Sequence, residues 1–139
     1  MSPSDIKALL LKRRAKWVEI GEVGEGDAKR VQRVRFTRPP ESDFHSLLTN
    51  VDQAEGKAVW SIELPHVIKY ADEWEGFVEA DFIGAGVGAS DPVAFDRGLF
   101  ACWIEDNVEA QRKVGNAILS ATVDYLTARE ATAKNSTPG

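Results

Sequence analysis

The sequence predicts an α+β fold in which a small N-terminal β-hairpin packs on a mainly helical C-terminal part. Three observations predict it. Residues 17–23 and 31–37 alternate apolar with polar side chains around Gly24-Glu25-Gly26-Asp27, the pattern of two half-buried strands joined by a turn. Downstream of Pro65 the apolar residues recur at helical spacing. The chain has 139 residues, 43% hydrophobic and 28% charged, which suits one domain with an ordinary core. That domain is expected over residues 1–130, with 131–139 as a flexible polar tail.

Taken in order, residues 4–16 predict a short helix. Ser4 is a candidate cap, and Asp5 and the basic Lys12-Arg13-Arg14 suit the two ends of the helix dipole. Ile6, Leu9, Leu10 and Arg13 share one face. After the hairpin, Pro39-Pro40 ends the second strand, because proline cannot extend the ladder. A short helix is expected over 41–48 and a polar loop over 50–57. Residues 58–70 predict a strand or helical turn, then a helix from Pro65, with Trp74-Glu75-Gly76-Phe77 closing the segment. The Gly/Ala-rich stretch 83–90 is a connector. Ser90 or Asp91 then caps a helix with Pro92 at its first position, carrying Phe95, Leu99, Cys102 and Trp103. The last helix spans 107–129 with Val114, Ile118, Ala121 and Tyr125 along its stripe.

Charge is unevenly spread. Residues 1–40 hold ten Lys/Arg and five Asp/Glu, a net +5, and residues 41–139 hold seven and seventeen, a net −10. Such asymmetry lets copies of the chain, or a charged partner, dock on it; the alternative is two solvated faces. The single cysteine, Cys102, lies in an apolar stretch and is expected to be a buried thiol. No apolar run approaches the roughly 20 residues of a membrane helix, and residues 6–14 run apolar-then-basic, opposite to a secretory leader. A cytoplasmic location follows as an expectation.

No catalytic, metal or cofactor site emerges. Gly84-Ala85-Gly86-Val87-Gly88 superficially suits a dinucleotide, but Asp91 at the next helix start would repel a pyrophosphate, and the chain lacks the βαβ units of that fold. Asp72, Glu73, Glu75, Glu79 and Asp81 lack calcium-loop spacing and interleaved histidines, so a solvated acidic face is expected. His45 and His66 have no partners at zinc spacing. Arg30, Arg33, Arg35 and Arg38 around Phe36 could track a phosphate backbone, yet a pI of about 5.1 argues against nucleic acid. The four tryptophans, Trp17, Trp60, Trp74 and Trp103, anchor a core or a protein interface.

From about Trp60 to Asn135 the chain resembles tail-assembly chaperones of tailed phages and prophages. The carrying residues are Val67-Ile68-Lys69-Tyr70, Trp74-Glu75-Gly76-Phe77, Asp81-Phe82-Ile83-Gly84, Asp91-Pro92-Val93-Ala94-Phe95-Asp96, Leu99-Phe100-Ala101-Cys102-Trp103-Ile104 and Lys134-Asn135-Ser136. Arg38-Pro39-Pro40-Glu41 after an N-terminal β part is similar as well. The resemblance implies a binding protein, not an enzyme. Its client would be the tape-measure protein, kept soluble while tail-tube subunits are recruited. It would act in the cytoplasm of the bacterial host and be absent from the mature virion. Client-binding residues are expected among Trp74, Phe77, Phe95, Leu99, Trp103, Val114, Ile118 and Tyr125. The alternatives are a structural neck or tail-completion protein and a small nucleic-acid-binding regulator.

Overall fold

The structure, a computed structural model, describes residues 1–47, 51–52, 59–60, 62–84 and 90–136, with backbone alone at 45, 51–52, 59–60 and 134–136. Helix α1 (Pro3–Arg14) runs straight into strand β1 (Ala15–Val23), which turns through Gly24 and Gly26 into β2 (Arg30–Thr37). The cap of α1 is Ser2, not Ser4. Its hydroxyl accepts from Asp5 N–H while the Asp5 carboxylate accepts from Ser2 N–H, a reciprocal capping box that puts Pro3 at the first helical position.

The hairpin forms as its alternation predicts. Val18 faces Val34, and both point inward, while Trp17 faces Arg35 on the outer side. A bulge between Glu19 and Gly21 shifts the register. After a 3-10 turn at Glu41–Asp43 come α2 (Phe44–Leu47), β3 (Val51–Asp52) and β4 (Val59–Trp60). The expected polar loop is thus interrupted by β3, which pairs with β4; its residues 50 and 53–57 lie outside the described residues.

Helix α3 (Leu64–Tyr70) is followed without a break by β5 (Ala71–Glu75), a strand the linear pattern does not announce. β5 joins the hairpin as its third strand, in the order β1-β2-β5, antiparallel throughout. Val34 pairs with Trp74 on the buried face. The expected end of a helical segment at Trp74–Phe77 is therefore a strand and a tight turn. Gly76 makes the turn with φ +80°, and a Cβ there would sit 2.0 Å from the Val31 carbonyl oxygen.

Helix α4 (Ala80–Ile83) precedes the glycine run, of which residues 85–89 lie outside the described residues. No helix starts at Asp91-Pro92. Residues 91–93 run extended beside 77–79, with Val93 N–H donating to the Phe77 carbonyl, Glu79 N–H donating to Asp91, and Val78 bridging Pro92. These partners claim the backbone before it can coil. Helix α5 (Arg97–Glu105) begins later, capped by Asp96, whose carboxylate accepts from Leu99 N–H at 2.8 Å. Arg97 Nη1 reaches back to the carbonyls of Ile68, Lys69 and Ala71 and so closes the end of α3. Helix α6 (Val108–Ser136), whose Asn107 side chain accepts from Ala110 N–H, extends well past the expected 129; the tail expected from 131 is helical to Ser136.

The core lies between the inner face of the sheet and α3, α5 and α6. Ala110, Val114, Ile118 and Thr122 form the buried stripe of α6. Trp74 sits at the centre of an aromatic cluster: Phe77 at 4.5 Å, Phe95 at 5.3 Å and Phe82 at 5.4 Å between ring centroids, with Nε1–H donating to the Val93 carbonyl. Cys102, expected to be buried, is exposed. Phe100 and Ile104, four residues apart, face the core, and Cys102 lies between them on the far side of the helix. Among the described residues, no helix is long and apolar enough to cross a membrane.

Tyr70 is buried and donates its hydroxyl to Asp43 at 2.5 Å, tying α3 to the turn after the hairpin. Burial first, and then this bond, push the Tyr70 phenol above its ordinary range, while the same bond holds the Asp43 carboxyl below its own. A raised Tyr70 contributes stability that is complete below about pH 10 and lost as pH rises through its folded value; a depressed Asp43 contributes stability that is complete above about pH 4 and lost as pH falls through its folded value. Tyr70→Phe is expected to cost about 1 kcal/mol at neutral pH, with the Tm gap to the native chain closing at both pH extremes. Thermal melts of the two proteins across pH check this. Trp74→Ala is expected to cost about 3–5 kcal/mol by emptying the cluster's centre, measured by denaturant unfolding.

Candidate functional site

The expected client-binding residues divide sharply by depth. Trp74, Phe77, Val114 and Ile118 are at most 5% exposed and lie in the core. A partner would reach them only by opening the fold. Phe95, Leu99, Trp103 and Tyr125 are half-buried and packed against that core. Leu99 and Trp103, with Phe82 and Cys102, line a shallow hollow of about 300 Å³ beside α5.

The charged constellations change meaning too. Antiparallel pairing sets the basic strand β2 against the acidic strand β5. Arg33 pairs with Glu75 at 2.8 Å, Arg35 Nε with Asp72 at 2.7 Å, and Arg30 with Asp81 and the Gly76 carbonyl. Asp72 also accepts from the Thr37 hydroxyl, and Asp81 from Val78 N–H. The acidic cluster is therefore not merely solvated, and three arginines of the candidate phosphate-tracking strand already hold carboxylates. Among the described residues no three His, Cys, Asp or Glu side chains converge as metal ligands would. His66 stacks on Tyr70.

Among the described residues, the N-terminal helix is the element that turns the most large apolar side chains outward. Helix α1 has no buried residue, and Ile6, Leu9, Leu10 and Leu11 are 45–49% exposed. Ile6, Leu9 and Leu10 form a stripe at i, i+3 and i+4. Leu11 lies off that stripe and turns toward the sheet, where it walls a hollow with Ala15, Arg35, Thr37 and Asp72. Trp17, two residues into β1, is 46% exposed on the outer sheet face, with the Arg35 guanidinium 5.9 Å from its ring. Contiguous exposed apolar side chains of this kind mark interaction sites. The signal was in the sequence, as helical spacing at 6, 9 and 10. What was missing was that nothing among the described residues folds over it.

The C-terminal end of α1 opens on a basic cleft of about 260 Å³. Arg13, Arg14, Lys16 and Arg38 line it with Asp124 and Tyr125 from α6. Arg38 N–H donates to the Arg14 carbonyl, which holds the end of the hairpin against the end of the helix. The Arg38 guanidinium lies 3.9 Å over the Tyr125 ring, and its Nη1 donates to the Pro39 carbonyl at 2.8 Å. Burial, and then the nearby charge of Arg14, lower the Arg38 pKa from its ordinary value. The arginines stay charged at working pH, so their repulsion is a standing cost.

No family model, curated protein or solved structure matches this chain.

Because the cleft sets like charges together, Arg14→Gln is expected to leave Tm unchanged or raise it by a degree or two. Arg30→Gln, which removes the partner of Asp81, is expected to lower Tm, so calorimetry on the two variants side by side separates them.

Proposed function

We propose that this protein is a binding protein, a tail-assembly chaperone that holds the tape-measure protein and helps recruit tail-tube subunits, acting in the cytoplasm of the bacterial host. The docking part of this reading is supported by one observation: α1 presents Ile6, Leu9 and Leu10 to solvent on a helix with no buried residue. An isolated twelve-residue helix is marginal in water, so its propensity alone does not account for an apolar face kept outside the core. A helical client laying its own apolar stripe along this face would remove both from water, the helix-against-helix mode of recognition. Complete burial is worth about 1.5–3 kcal/mol per leucine, and these start nearly half exposed, so two or three of them supply a weak, releasable grip. A chaperone that must leave before the tube closes needs a grip of that kind. The client's identity comes from the resemblance of residues 60–135, and the absence from mature particles belongs to the same reading.

Co-expression with the tape-measure protein of the same genome tests it. The client is expected to become soluble and to co-purify. The double substitution Leu9→Asp and Leu10→Asp is expected to abolish capture while circular dichroism and Tm stay within a few degrees of the native chain, since neither side chain is in the core. Stable retention of the protein in purified particles would replace this reading with that of a structural neck or tail-completion component.

A further inference from the structure

We propose that the cleft walled by Arg13, Arg14, Lys16 and Arg38 receives the carboxylates of an acidic, amphipathic segment of the protein that lies along α1. This rests on the reading of α1 as a docking helix and adds what that reading lacks, the charge of the partner.

The cleft and the apolar stripe are one surface. Arg13 lies three and four residues beyond Leu10 and Leu9, and Arg14 lies four beyond Leu10, so the stripe of Ile6, Leu9 and Leu10 runs directly into the cleft. A segment with leucines followed by glutamates would meet apolar and then basic surface in turn.

The cations are uncommitted. Arg30, Arg33 and Arg35 each hold a carboxylate on or beside the third strand. Among the described residues, Arg13, Arg14, Lys16 and Arg38 make no ion pair, and Asp124 is the one carboxylate lining their cleft. Four positive charges against one, held by backbone and by the Tyr125 ring, form a site whose repulsion an incoming carboxylate relieves. The Arg38 guanidinium is already oriented by Tyr125 and Pro39, which lowers the ordering cost of binding.

A protein segment fits better than a nucleic acid. The cleft holds about 260 Å³, room for one or two carboxylates. A longer polyanion leaving it across the outer sheet face would find Arg33 and Arg35 already held by Glu75 and Asp72, with Glu19 and Glu73 beside them. The net charge of −5 opposes it as well.

The test is a fluorescence-anisotropy titration of the full chain with a labelled helical peptide whose leucine stripe is flanked by glutamates, a second peptide with glutamine at those positions, and a labelled oligothymidine. The glutamate peptide is expected to bind at least tenfold more tightly than the glutamine peptide at low salt, with the preference fading as salt rises. Arg13→Gln with Arg14→Gln is expected to erase the preference at unchanged Tm, whereas Leu9→Ser with Leu10→Ser weakens both peptides alike. Equal binding of the two peptides, still weakened by the leucine variant, overturns the carboxylate site and leaves the docking helix standing. Indifference to the leucine and arginine variants together overturns both. Tighter binding of oligothymidine than of the glutamate peptide overturns the proposal in favour of a nucleic-acid surface.

Discussion

In the centre of the sheet, β2 lies between β1 and β5, and its pairing with β5 is the constraint from which the rest of the structure follows. One strand comes from the basic first third of the chain and the other from the acidic part beyond it. On the outer face the register sets Arg33 against Glu75 and brings Arg35 to Asp72. On the inner face it sets Val34 against Trp74. Exposed pairs of this kind contribute little to stability, a fraction of a kcal/mol each. Their value is in register: a slip by one residue would turn Trp74 outward and bring like or unpaired charges together. The apolar burial behind the sheet provides the energy, and the charges choose the alignment.

Once Trp74 is placed, the aromatic residues sort themselves. Phe77, Phe82, Phe95 and Phe100 gather around it, and Trp103 closes on Phe77 edge to face. The extended run at 91–93 is fastened by Trp74 and Phe77, which delays α5 until Asp96. The aromatic richness of this part of the chain is therefore consumed by its own core. The exposed apolar stripe lies elsewhere, on α1, and the cleft opens at the C-terminal end of that helix.

That cleft stands in contrast to the sheet. Both are built from arginines, yet on the sheet each guanidinium meets a carboxylate, while at the end of α1 Arg14 and Arg38 face one another across a space with only Asp124 for relief. A fold that neutralises one basic group so thoroughly and leaves the other crowded has separated structural charge from charge available to a partner.

The sequence by itself determined the local elements whose cause is local. Alternation around Gly24 and Gly26 specified the hairpin, helical spacing specified α1 and the stripe of α6, and the α+β class followed from their order. The third strand was not legible, because Ala71–Glu75 alternates over only five residues and becomes a strand by pairing with β2. The helix expected at Pro92 failed for the same reason: its backbone groups are claimed by residues 77–79, distant enough in pattern to escape a local reading. Cys102 was misplaced because an apolar stretch does not say which side of its helix faces in. Tertiary structure alone decided which apolar residues are core and which are surface. Periodicity identifies a face, but only the placement of a second element decides whether anything covers it. For Val114 and Ile118 the sheet, α3 and α5 packed against α6 do; for Ile6, Leu9 and Leu10 nothing among the described residues buries them.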